Sequence, residues 1–301
     1  MPIIAGKPFP MNANTSEPIK GTSILIRLLT ARDIGFGMWL KEQAGWNQTE
    51  ADWHRCLALE PDGCFVAELD RTPVGTTTTC VFGSVAWVAM VLVEASVRGR
   101  GIGRALMEAA LAYLKGRAVR TIRLDATPLG KPLYESLGFV SQFTLTRYAG
   151  VLPDPQRPVA GVEPVQRDQV AELVAVDRAV TGTDRHKLLF RLYEERPDSF
   201  RMVRSHGRLT GFLSARPHAH ALQVGPCVGT AEAAALLFAD HQDRYAGERV
   251  VMDIPIDNPV ATGLAERLGL APTRQLLRMG WGEPVVEQIE RLWISYGPEK
   301  G

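Results

Sequence analysis

The chain has 301 residues, 46% apolar and 22% charged, and a formal net charge of +1. That length favours two domains over a single core. The charge balance supplies no pull toward nucleic acid or a membrane surface, and no apolar run approaches the roughly 18 to 20 residues of a membrane span.

The opening MPIIAGKPFPMNANTSEPIKG lacks the layout of a secretory signal, so residues 1–21 read as a flexible arm and the protein as cytoplasmic. ILIRLLT (24–30) then reads as a strand, followed by amphipathic helices near 33–43 and 48–59. CFVAELDRTPVGTTTTCVFG predicts a hairpin turning at DRTP, with Pro73 in the turn. SVAWVAMVLVEAS is too apolar to face water on one side and should be a central strand. A glycine-rich loop and a helix follow, then the strand TIRLDAT, a short helix PLGKPLYESLG stopped by Gly138, and the strand FVSQFTLTRYAG.

VLPDPQRP (151–158) has three prolines in eight positions, a linker signature. Beyond it the order recurs: a helical region over 167–195, a hairpin around HGR, the strand HALQVGPCVG, the helix TAEAAALLFADHQDRY, the strand ERVVMDIPI, the helix ATGLAERLGL and the strand TRQLLRMGW. LYESLGF at 133–139 lies over LAERLGL at 264–270. The chain therefore reads as two copies of one α/β (α+β) fold, at 22–150 and 159–301. Cys56, Cys64, Cys80 and Cys227 have no pair spacing suited to zinc or redox chemistry and read as reduced thiols. His218 and His220 would share one strand face but lack a third ligand nearby in sequence, so no metal is expected.

The most informative stretch is VEASVRGRGIGRALMEAALAYL, from Val93 to Leu114. A strand ends near Ala95, a tight loop carries three glycines within five residues, and a helix starts near Gly103 or Arg104. Amides of such a loop and of the helix N-terminus make a cradle for a phosphate or pyrophosphate. Gly101 and Gly103 place no Cβ before an approaching anion, while Arg98, Arg100 and Arg104 add attraction or are simply solvated. A Walker loop is excluded because Arg104-Ala105 stands where Lys-Ser/Thr is required. A dinucleotide fold is excluded because the loop follows a hairpin and a central strand.

Arg98-Gly99-Arg100-Gly101-Ile102-Gly103 resembles the coenzyme A motif of the GNAT superfamily of N-acyltransferases, Arg/Gln-x-x-Gly-x-Gly/Ala. Tyr134 in LYESLGF resembles its second motif, and the resemblance covers residues 22–149. It implies tandem GNAT-like domains, each a mixed, mostly antiparallel sheet flanked by helices, with acetyl-CoA as co-substrate. By this resemblance Val91, Leu92 and Val93 expose backbone to the pantetheine arm. The pyrophosphate rests on Gly99, Arg100, Gly101, Ile102, Gly103 and Arg104. Thr127 stands where many members have a cofactor-contacting Asn. A central-strand amide near Leu92 or Val93 serves the oxyanion, and Tyr134 either protonates the leaving thiolate or only packs against the cofactor.

The resemblance leaves the base open among Asp125, Glu94 and water, because Ile122 and Trp87 occupy the positions where relatives carry Glu. For the acceptor, Trp46 and Trp53 stack on substrate and Asn47 and Asp52 bind its polar groups, or else Trp53 is core and Asn47 caps the second helix. The second copy has Ala265 at the tyrosine position, Asn258 seven residues earlier, and one glycine, Gly229, with no arginine in its loop. It is expected to be degenerate. Asp184 and Arg185 read as a cleft lining or a surface ion pair.

The implied activity is acetyl transfer to a primary amine of a small molecule by direct attack in a ternary complex. Acetylation of a protein or peptide amine and a non-catalytic CoA sensor are the alternatives. A monomer or homodimer is expected, with no nucleic-acid or membrane partner.

Overall fold

A computed structural model describes residues 23–155 and 159–301. The expected arm at 1–21 and the end of the expected linker lie outside the described residues. The chain forms two compact units, one holding the described residues through Thr78 together with Met90–Tyr113, the other Thr79–Ala89 and Leu114–Gly301.

The first unit is built on β1 (Ile24–Leu28), α1 (Ile34–Gln43), α2 (Glu50–Leu59), β2 (Cys64–Leu69), the greater part of β3 (Thr72–Phe82), the end of β4 (Val85–Val93), and α3 (Ile102–Lys115). β1, β2 and β3 form an antiparallel meander, with Leu28 opposite Phe65 and Cys64 opposite Thr78. The β2–β3 turn is made by Asp70 and Arg71, both at positive φ. Pro73 lies within β3, opposite Glu68 at a register shift, and not in the turn. The four threonines at 76–79 are buried, as β-branched residues in a covered strand should be. Ile102 and Leu106 of α3 pack on Ala67, Leu69 and Val74. Gly75 makes this packing possible, because a Cβ there would come within 2.8 Å of the Leu92 carbonyl oxygen and 3.0 Å of Leu106.

The second unit adds β5 (Thr121–Ala126), α4 (Lys131–Ser136), β6 (Val140–Val151), β7 (Val162–Pro164), α5 (Val170–Thr181), α6 (His186–Glu195), β8 (Arg201–Ser205) and β9 (Arg208–Pro217). β10 (Leu222–Gly229), α7 (Ala231–Arg244), β11 (Arg249–Pro255), α8 (Pro259–Arg267), β12 (Ala271–Gly282) and β13 (Leu292–Ile294) complete it. Its strands run in the order β4-β5-β12-β6-β11-β10-β9-β8-β7, with β13 paired to β10. The final strands of the two sequence copies have changed places: β12 lies between β5 and β6, and β6 lies between β12 and β11.

Strand exchange brings charges together inside the sheet. Arg278 of β12 lies directly opposite Asp125 of β5 and donates to both carboxylate oxygens, at 2.9 and 3.0 Å. Arg147 of β6 lies opposite Asp253 of β11 and does the same, at 2.7 and 2.6 Å. All four side chains are buried. Burial raises the Asp125 carboxyl above its usual range despite Arg278. Such a pair costs more when half of it is removed than when both halves are replaced. Arg278→Met alone should destabilise the protein by about 3–5 kcal/mol, and adding Asp125→Leu should recover much of that, read as urea midpoints. Equal losses in single and double variants would show that the pair is not the source.

Candidate active site

The parallel ladder between β4 and β5 is recorded from Val85–Thr121 to Trp87–Arg123. Farther along β4, Met90 has φ +50°, a conformation unbranched side chains seldom adopt. Its carbonyl accepts from Thr76 Oγ1 at 2.8 Å. The end of the strand is held from its own side: Glu94 N donates to the Val74 carbonyl at 2.9 Å, and Arg98 Nε to the Val93 carbonyl at 3.0 Å. Arg98 thus folds back on the strand that precedes it, besides adding charge.

The loop then turns on Gly99 (φ +77°) and Gly101 (φ +84°), which glycine adopts without strain. A Cβ at either would meet no atom within 4 Å, so the face of the loop is open. α3 starts at Ile102, earlier than the spacing predicts, and Ala105 N donates to the Gly101 carbonyl at 2.9 Å. The amides of the helix's first turn have no partner within the helix and carry the positive end of its dipole. Arg98 and Arg100 are exposed, and Arg104 lies 3.8 Å from Glu108. The arrangement is a donor-lined, cationic, sterically open turn that fits a diphosphate.

In the second unit, Thr127 Oγ1 accepts from Gly130 N at 3.3 Å and shapes the entry to α4. Tyr134 on that helix is buried, edge-on to Phe139 with ring centroids 6.1 Å apart. Gly130 admits its ring, since a Cβ at Gly130 would sit 2.9 Å from it. Burial alone raises the phenol well above its ordinary pKa, so the group stays protonated.

The second copy treats the same positions differently. The β10–β11 ladder is recorded from Leu222–Val250 to Val224–Met252, and a register shift follows at Gly225-Pro226. There β13 joins the edge, pairing Ile294 with Cys227 and Leu292 with Val228, while Ser295 N donates to the Asp253 carbonyl at 2.8 Å. Trp293 Nε1 donates to the Gly229 carbonyl at 3.0 Å. Asn258 caps α8 through Ala261 N at 3.1 Å, and its amide donates to the carbonyls of Ile289 and Leu292, each at 3.2 Å. No open glycine turn precedes α7, whose N-cap Thr230 accepts from Ala233 N at 3.3 Å.

Of the acids considered as bases, Asp125 is locked in its pair with Arg278, and Glu94 accepts from Ser96 Oγ at 2.8 Å. Asp52 is buried, with both oxygens used: Oδ2 accepts from Thr49 N and Oγ1 at 2.8 and 3.0 Å, and Oδ1 from Arg55 at 2.7 Å. Thr49 is the N-cap of α2, and Asn47 is not. The Thr-x-x-Asp spacing at 49–52, a capping-box pattern, carried that signal. Trp53 is fully buried against Gly37, whereas Trp46 and Asn47 are half-buried. His218 and His220 lie beyond β9 rather than on it, His218 buried and His220 exposed. Asp184 and Arg185 do not pair: Asp184 meets His186 at 3.1 Å, while Arg185 is buried on Asp177.

Sequence reasoning missed Arg123, Arg278 and Glu287. Arg123 donates to Gln142 at 2.8 Å and to Glu287, and Arg278 lies 4.6 Å from the Trp87 ring centroid. The available signal was a charge at alternate positions, Arg123 and Asp125, inside an otherwise apolar strand.

Residues 34–139 match the acetyltransferase (GNAT) family, and residues 173–294 match an acetyltransferase (GNAT) domain. The chain is 23% identical over 242 residues to the holothin acyltransferase of Pseudoalteromonas sp. (strain SANK 73390), covering 79% of this chain and 81% of that one. It is 35% identical over 120 residues to the mycothiol acetyltransferase of Acidothermus cellulolyticus, where the match covers 33% of this chain and about a third, 36%, of that enzyme. A crystal structure from Pyrococcus horikoshii, an acetyltransferase by assignment, superposes with a TM-score of 0.80 at 23% identity, over 96% of this chain and 99% of that one.

Proposed function

Since this chain belongs to the GNAT acyltransferase family and carries one domain of that family in each half, we propose that it moves an acetyl group from acetyl-CoA to a primary amine of a small molecule, by direct attack in a ternary complex. The observation that carries the reading is the open turn on Gly99 and Gly101 ahead of α3. The diphosphate would rest on the backbone of residues 99–104, with the pantetheine arm along Val91, Leu92 and Val93. When bound, the thioester supplies the activated acetyl group.

The amine must attack as the neutral base, whereas a free alkylammonium has a pKa around 10. Attack on the carbonyl carbon forms the C–N bond and places charge on its oxygen, which a β4 amide at Leu92 or Val93 stabilises. The C–S bond breaks, the thiolate takes its proton from Tyr134, and the phenolate regains one from solvent. The amine's own proton passes to Glu94 or to water, the routes left once Asp125 is tied to Arg278. Thr127, whose hydroxyl also accepts from Gly130 N, is read as a cofactor contact in place of the family's asparagine.

The domains are proposed at 22–150 and 159–301, with catalysis in the first. The second is read as degenerate: β13 lies along β10 and Asn258 holds it there, while Ala265 leaves no hydroxyl. Relatives named for holothin and mycothiol favour a small acceptor over a protein. Trp46 and Asn47 remain acceptor-contact candidates.

Thiol release from acetyl-CoA, followed against amines, polyamines, amino acids and aminoglycosides, tests this directly. Tyr134→Phe should lower kcat by about a hundredfold while leaving CoA binding intact, and a variant as fast as the parent would remove the tyrosine from its role. Gly101→Val, a β-branched residue at positive φ, should weaken CoA binding by about tenfold or more in calorimetry. The parent should bind one CoA per chain. Because burial lifts the Tyr134 phenol, its ionisation should produce no alkaline fall in kcat up to pH 10. Stabilisation by CoA with no turnover on any amine would favour the sensor.

A further inference from the structure

Thr76, Thr77, Thr78 and Thr79 of β3 are all buried, and strand propensity accounts for them as β-branched residues. Propensity asks nothing of a hydroxyl, however, and valine would serve as well. Thr76 is 0% exposed, and a hydroxyl buried that far costs free energy unless it is bonded. Its Oγ1 donates at 2.8 Å to the carbonyl of Met90, the residue at φ +50° where β4 becomes irregular.

The hold on that carbonyl has a consequence one bond farther on. The Met90–Val91 peptide is trans, so its N–H points opposite to its C=O. Fixing the Met90 carbonyl on β3 therefore aims the Val91 N–H away from β3. The residues that follow keep this facing. The Leu92 carbonyl oxygen lies against Gly75, 2.8 Å from where a Cβ there would sit, and Glu94 N donates to the Val74 carbonyl at 2.9 Å. In an antiparallel hairpin a residue's N–H and C=O share one edge, and the edge alternates along the strand. Leu92 and Glu94 thus face β3. Val91 and Val93 face the other edge, where the recorded β4–β5 ladder has already stopped at Trp87.

We infer that Thr76 is a positioning residue for acyl transfer: its hydroxyl locks the Met90–Val91 peptide so that the N–H groups of Val91 and Val93, and not that of Leu92, face the acyl-pantetheine arm. The inference rests on the acyltransferase reading and deepens it, since it selects among the β4 amides offered there to the arm and the oxyanion. Without the hydroxyl, Met90 is free to leave its left-handed φ, and the two donors lose their fixed direction. The glycine turn that would hold the diphosphate is set by Gly99 and Gly101 and does not depend on this bond.

Two substitutions separate the hydroxyl from the rest of the side chain. Thr76→Val keeps the β-branch and removes the hydroxyl, while Thr76→Ser keeps the hydroxyl and removes the methyl. The probes are acetyl-CoA and 3′-phospho-ADP, which is coenzyme A without its pantetheine arm, in calorimetry. Thiol release on an amine that the parent acetylates gives the rate. Thr76→Val should bind 3′-phospho-ADP as the parent does, bind acetyl-CoA about fivefold more weakly, and turn over about tenfold more slowly at saturation. Thr76→Ser should stay within about twofold of the parent in all three. Parent-like acetyl-CoA binding and turnover in Thr76→Val would overturn the inference. So would equal weakening toward both probes, the mark of a hydroxyl that only supports the fold, or a Thr76→Ser as slow as Thr76→Val. If Thr76→Val does not melt cooperatively, hydrogen exchange in the parent decides. Acetyl-CoA should slow the Val91 amide more than 3′-phospho-ADP does, and equal exchange with the two ligands overturns the inference. A parent that binds neither probe would remove the acyltransferase reading itself, and this inference with it.

Discussion

A strand that leaves its ladder must find other partners for its amides and carbonyls. Both copies of this fold face that requirement at the same place, because the parallel ladders of β4 with β5 and of β10 with β11 are each recorded over three pairs and then give way to an irregular residue, Met90 in one and Gly225-Pro226 in the other. In the second copy the chain answers with its own backbone, since β13 pairs with β10. Trp293 and Asn258 fix it there, so that the asparagine amide is spent on protein carbonyls. In the first copy Thr76 and Arg98 take the carbonyls of Met90 and Val93, and the strand runs into a turn whose glycines leave its face open. In one copy β13 covers the strand edge, while in the other the strand runs into a sterically open glycine turn. That difference, more than the loss of any single side chain, separates the two halves.

The exchange of final strands sets a second condition. β12 and β6 carry Arg278 and Arg147 into a sheet whose neighbouring strands supply Asp125 and Asp253 in direct register. These ions are buried and paired, a weak source of stability but a strong penalty on any register that leaves one unmatched. Arg278 of this layer, together with Arg123, Arg185 and Glu287, lines a small polar pocket that Lys300 and Gly301 close. A network that specifies the fold therefore also shapes a polar pocket.

Much of this was legible in the chain. VAWVAMVLV has no polar face and had to be central, and β4 is. The glycines at 99 and 101 adopt positive φ, and α3 starts directly after them at Ile102. The recurring element order gave the two copies. The strand exchange left no mark, because β6 and β12 have similar length and pattern and fit either neighbour. β13 was hidden because charged residues interrupt EPVVEQIERLWIS and leave no period to read. Local chemistry absorbed Asp52, whose place three residues after Thr49 makes it a capping partner.

Hydrogen exchange of the intact protein with and without coenzyme A tests the central claim most directly. The account predicts slowed exchange at the amides of residues 99–104 and 91–93, and none attributable to the ligand at 225–230 or 292–294. Protection at the second copy's strand edge, or unchanged exchange across the glycine turn, would contradict it.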